Sequence, residues 1–62
     1  LTKMAERLGR QVSTTGEKIT LGPFNAFERR IIHVALRDNP SLRTESEGEG
    51  EMKKISIIPA GG

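Results

Sequence analysis

Sixty-two residues allow one domain around one small core. Ten Lys and Arg against eight Asp and Glu give a net charge of +2, and the chain has no cysteine. That composition excludes disulfides and thiolate metal sites, and the single His33 argues against a histidine-based zinc site. No apolar run approaches the roughly 18 residues that a membrane-spanning helix needs. No secretory leader pattern is present. The chain opens on Leu1 rather than methionine, which predicts a segment of a longer protein.

Leu1, Met4, Ala5, Leu8 and Val12 recur at spacings of three and four, the pattern of one buried helix face, with Lys3, Glu6, Arg7, Arg10 and Gln11 largely opposite. Ser13-Thr14-Thr15-Gly16 supplies the helix-ending turn. Lys18-Ile19-Thr20-Leu21 alternates polar and apolar, as a short strand does, and Gly22-Pro23 is expected to stop it.

Asn25 followed by Glu28 resembles a capping box and predicts a second helix, running to about Asp38 before Asn39-Pro40 ends it. Leu42 to Ser46 reads as a second strand and Lys54 to Ile58 as a third. The turn-rich, acidic Glu47-Gly48-Glu49-Gly50-Glu51 between them predicts a hairpin. The order helix-strand-helix-strand-strand predicts an α+β domain over residues 1–59, with both helices on one face of a three-stranded sheet. Residues 60–62 are expected to fray.

Charge is segregated along the chain. Residues 1–44 carry eight basic against four acidic side chains, whereas residues 45–52 carry four glutamates. A basic body suits polyanions, as many unrelated basic domains do.

The second helix concentrates that charge. With Arg29 set at zero on a helical wheel, His33 falls near 40°, Arg37 near 80° and Arg30 near 100°. Phe27, Ile31, Ile32, Val34, Ala35 and Leu36 occupy the remaining arc and are expected to face the core. Guanidinium offers phosphate a planar fork of charged donors, and imidazole donates, stacks or adds charge when protonated. Arg29 and His33, four apart, project from neighbouring turns toward one ligand. Lys53 and Lys54 stand ready to extend the patch.

A charged helical face is often only solvated, and a lone histidine is more often structural than functional. The confinement of three arginines and a histidine to one arc without a carboxylate favours a site. The acidic loop reads first as a soluble hairpin tip. Two sharper readings remain open: Ser46 and the amides near Gly48 form an anion-binding nest, or Glu45 or Glu47 orients Arg29 or His33.

Arg29-Arg30-Ile31-Ile32-His33 has the Arg-x-x-x-His spacing of the R-three-H domain. The surrounding stretch from Leu21-Gly22-Pro23-Phe24-Asn25 through Glu28-Arg29-Arg30 to His33 resembles that domain in the bacterial Jag (SpoIIIJ-associated) type. So do the loop Thr44-Glu45-Ser46-Glu47-Gly48-Glu49 and the closing Lys53-Lys54-Ile55-Ser56-Ile57-Ile58-Pro59. The likeness covers roughly residues 5–59. Two departures stand out: Lys53 and Lys54 replace arginines common in the family, and neither Tyr nor Trp occurs. With Phe27 assigned to the core, base stacking is left to Phe24, His33 or arginine planes.

The resemblance implies single-stranded nucleic-acid binding, RNA before DNA, by the C-terminal module of a larger cytoplasmic regulator of bacterial cell-envelope growth. It implies a KH domain upstream in the same chain. Arg29, His33, Arg30, Arg37, Lys53 and Lys54 are then the nucleic-acid contacts, with Ser46 and Gly48 in the loop beside them. No cofactor, metal, membrane insertion or catalysis is expected. A protein-interaction module that docks a partner or its own KH domain is the alternative. Replacing Arg29 and His33 together by Ala is expected to weaken binding and leave the fold intact.

Overall fold

The structure, a computed structural model describing residues 1–60, contains two helices and one antiparallel sheet in the expected order. Helix α1 (Thr2–Thr15) ends at Gly16, whose amide donates to the Val12 carbonyl at 2.8 Å. The helix takes in the Ser13-Thr14-Thr15 stretch that the sequence assigns to a turn. Thr15 Oγ1 donates back to the Gln11 carbonyl (2.9 Å), so its hydroxyl is satisfied within the helix.

Strand β1 (Ile19–Phe24) continues through Gly22-Pro23, where the sequence predicts a stop. A register irregularity between Leu21 and Phe24 accommodates the pair, the Gly22–Pro23 peptide bond is cis, and Gly22 has φ 113°. At such an irregularity a proline removes no ladder hydrogen bond. Any side chain at Gly22 meets backbone: its Cβ falls 3.1 Å from the Phe24 nitrogen and 3.2 Å from the Lys53 carbonyl.

Helix α2 (Ala26–Leu36) begins with the expected capping box. The Glu28 amide donates to Asn25 Oδ1 (2.8 Å), and the Asn25 amide donates to Glu28 Oε1 (3.0 Å). It ends at Leu36 with Arg37 as its cap, short of Asp38. Asn39 closes the corner: its amide reaches the Leu36 carbonyl, and its Oδ1 accepts from the amide and hydroxyl of Ser41.

Strands β2 (Leu42–Glu47) and β3 (Lys53–Pro59) form the expected hairpin. β3 also pairs antiparallel with β1, so the sheet order is β1-β3-β2. β1 and β2 therefore run parallel with β3 between them, a split β-α-β unit bridged by α2. The aliphatic Ile55 and Ile57 explain why β3 is central, since the middle strand is covered most completely. Ala60 donates its amide to the Ser41 carbonyl at 2.9 Å. Of the tail expected to fray, Gly61 and Gly62 lie outside the described residues.

Both helices lie on one sheet face. Ala5 and Val12 of α1, Ile32 and Leu36 of α2, and Leu42, Ile55 and Ile57 of the sheet form the buried core. Gly9 lets the two helices approach, because a Cβ there falls 2.8 Å from side-chain carbons of both Leu36 and Leu42. The opposite sheet face is polar. Ser56 is buried on it beneath hydrogen bonds to Thr20 Oγ1 (2.9 Å) and Glu47 Oε1 (3.2 Å).

One sequence expectation is overturned in α2. Phe27 and Val34, assigned to the core, are 72% and 43% exposed. The apolar arc is wider than the strip of helix that a small sheet and one neighbouring helix can cover. Ile32 and Leu36 take that strip, Ile31 and Ala35 are half-buried beside it, and Phe27 turns outward. Ile32→Ala should therefore cost about 2–5 kcal/mol, whereas Phe27→Ala should change stability by less than about 0.5 kcal/mol. Urea denaturation of the two variants checks this, and equal losses would return Phe27 to the core.

Candidate functional site

α2 runs antiparallel to β2 across the sheet face, and their repeats nearly match. Four helical residues advance about 6.0 Å, while two strand residues advance about 6.6 Å. Every fourth α2 residue therefore keeps pace with every second β2 residue, and Arg29, His33 and Arg37 descend opposite Ser46, Thr44 and Leu42. Strand alternation places 42, 44 and 46 on the helix side and Arg43, Glu45 and Glu47 on the other.

The crevice along this seam is a shallow cleft of about 280 Å³ lined by Ala26, Arg29, Arg30, His33, Thr44, Ser46 and Ile55. Three basic side chains form one wall, two hydroxyls the other, and Ile55 the floor. No carboxylate side chain lines it among the described residues.

Arg29 is half-buried and has a structural hold on the domain. Its Nη1 donates to the Phe24 carbonyl at 2.9 Å and to the Glu51 carbonyl at 3.3 Å. One nitrogen thus ties the start of α2 to the end of β1 and to the β2–β3 loop. Arginine has five N–H donors in a planar fork, so the rest of the guanidinium remains for the cleft. His33 is exposed, and its Nδ1 lies 2.8 Å from Thr44 Oγ1. That bond holds the ring across the seam and leaves Nε2, on its far side, for a ligand.

The other expected site residues spread along the surface. Arg30, exposed, shares the cleft. Arg37, also exposed, joins His33, Leu36, Leu42, Arg43 and Thr44 around the next depression along the seam. Ser46 is in the cleft, but Gly48 is not. Gly48, Lys53 and Lys54 surround a depression at the hairpin end with Pro23, Glu47, Glu49 and Met52. The patch read from the sequence is thus divided between a central cleft and a hairpin end where lysines mix with glutamates.

Of the readings left open for the loop, the one with Glu45 or Glu47 orienting His33 or Arg29 is not what the structure shows: the partner of His33 is Thr44. Glu45 pairs with Arg43 (3.4 Å) and Glu47 accepts from Ser56, so both carboxylates are engaged on the outer face. Glu51 meets Arg29 through its backbone carbonyl. The signal for Thr44 was present in the alternation from Leu42, which sets residues 42, 44 and 46 on one side.

The R-three-H domain family matches residues 1–59, nearly the whole chain, a span that includes Arg29 and His33. The chain belongs to the R-three-H domain family. This R-three-H domain is 35% identical over 57 residues to the RNA-binding protein KhpB of Lactiplantibacillus plantarum and, over the same length, to that of Clostridium symbiosum. It is 39% identical over 59 residues to the KhpB of Bacillus subtilis. Each match covers 92% of the domain but only 18%, 26% and 28% of those proteins, respectively. No helix among the described residues is long and apolar enough to cross a membrane.

The carbonyl bonds of Arg29 alter one expectation. Arg29→Ala removes charge-assisted bonds that join three elements and should cost about 1–3 kcal/mol of stability. His33→Ala removes one exposed side-chain bond and should cost no more than about 1 kcal/mol. Comparison of urea midpoints checks the difference. The double Ala variant is therefore expected to lose stability as well as any ligand contact.

Proposed function

We propose that this R-three-H domain binds single-stranded nucleic acid, RNA by preference, in the cleft between α2 and β2. The observation that carries the reading is the cleft itself: Arg29, Arg30 and His33 face Thr44 and Ser46 with no carboxylate side chain among the lining residues. Guanidinium and imidazole donors suit phosphate oxygens, and hydroxyls both donate and accept toward sugar and phosphate. Arg37 extends the cationic track along the seam, and Lys53 and Lys54 offer charge at the hairpin end, with Gly48 beside them.

The names of the related proteins favour RNA as the ligand. On the same reading the domain serves as one module of a longer cytoplasmic RNA-binding protein, with a KH domain as its neighbour in the chain. Its role is binding without catalysis. Contacts to phosphate carry no sequence information directly, so the cleft alone confers little sequence preference.

An anisotropy titration of the 62-residue chain with a short single-stranded RNA tests the proposal. Affinity should fall with salt, with a slope of about 0.7 in log Kd against log salt for each phosphate contacted. Arg30→Ala should weaken binding about tenfold, the loss of one charge-assisted contact, and flatten that slope. No binding at low salt would overturn the proposal.

A further inference from the structure

The cleft is not the only surface that α2 offers. Phe27, Ile31, Val34 and Ala35, with Thr2 of α1, line a shallow, mostly apolar depression of about 350 Å³. Phe27, at 72% exposed, is one of the two aromatic residues in the chain; the other, Phe24, is half-buried against the core. Exposed apolar area is unfavourable in water by about 25 cal/mol per Å², so a ligand that covers this depression gains by removing it from water.

Arg30 identifies what such a surface would bind. Its side chain lines this depression and also the cleft that holds Arg29 and His33. The two are therefore adjoining compartments of one surface, one cationic and hydroxyl-lined, the other mostly aromatic and aliphatic, with Arg30 shared between them. A nucleotide has the same division, an anionic sugar-phosphate joined to a flat apolar-faced base. An aromatic ring beside a guanidinium plane is a platform on which any base can stack, because every base has a π-face. In a duplex the base faces are already occupied by their neighbours, so such a platform selects single strands.

We propose that Phe27 and Arg30 form the stacking site for an unpaired nucleobase whose backbone lies in the Arg29–His33 cleft. This deepens the nucleic-acid reading above and rests on it. The cleft supplies charge, and Phe27 supplies the discrimination between a strand with available bases and a bare or base-paired polyanion.

The test uses the 62-residue chain and two single-stranded probes of equal length and phosphate number, one an oligoadenylate and the other fully abasic. Anisotropy titrations at one low salt concentration should show the wild-type chain preferring the oligoadenylate by about 5- to 150-fold, the range that stacking of one base supplies. In Phe27→Ala the oligoadenylate should weaken to the level of the abasic probe, with the abasic affinity and its salt slope unchanged. Phe27→Leu, which keeps apolar area without the ring, should lose most of the preference too. An unaltered urea midpoint in both variants ties the loss to the surface.

Equal binding of both probes by the wild-type chain, or an undiminished preference in Phe27→Ala, would overturn the stacking site while leaving the phosphate cleft intact. The depression would then serve another ligand, such as a protein surface. Failure of the wild-type chain to bind either probe would overturn the nucleic-acid reading and the stacking site together.

Discussion

Burial of Ile32 and Leu36 against the sheet sets the rotation of α2, and the candidate surface follows from that rotation. The two residues lie within about 40° of each other on the helical wheel, so they define a narrow buried strip. Arg29 sits immediately beside it, which is why its guanidinium is half-buried and reaches backbone carbonyls. His33, Arg30 and Arg37 come next around the wheel and project at the rim of the sheet. Phe27 and Val34 lie furthest from the strip and end in water. A helix rotated by one residue would exchange these roles.

Arg29 connects packing to the site. The Phe24 carbonyl at the end of β1 and the Glu51 carbonyl of the hairpin loop fix one of its nitrogens. Arg29 therefore combines anchoring with positive charge. Anchoring is efficient for arginine because a planar fork can satisfy buried acceptors with one edge and leave the other free. His33 is held differently, through a single hydroxyl across the seam.

The split β-α-β topology explains the shape of the cleft. With β3 between β1 and β2, α2 connects the two edge strands and packs against both, most closely against β2. The edge leaves one flank of α2 uncovered by further structure, and the crevice opens there. Glutamates that crowd the sequence near this edge do not poison the cleft for anions, because strand alternation sends Glu45 and Glu47 to the far face, where they meet Arg43 and Ser56.

The amino-acid sequence by itself determined the elements and their class. The three-and-four spacing from Leu1 to Val12, the Asn25–Glu28 capping box and the acidic turn before Lys53 are local signals, and local hydrogen bonds and periodic burial decide them. The Arg29 and His33 pairing on one flank was legible for the same reason, since residues four apart in a helix must be neighbours. The sheet order, the passage of β1 through Gly22-Pro23, the Thr44 partner of His33, the carbonyl hold on Arg29 and the outward turn of Phe27 were decided only in three dimensions. Each depends on which of several apolar residues wins the limited buried area, or on segments far apart in the chain. A helical wheel ranks faces by composition, but only the packed neighbours determine how wide a face is covered.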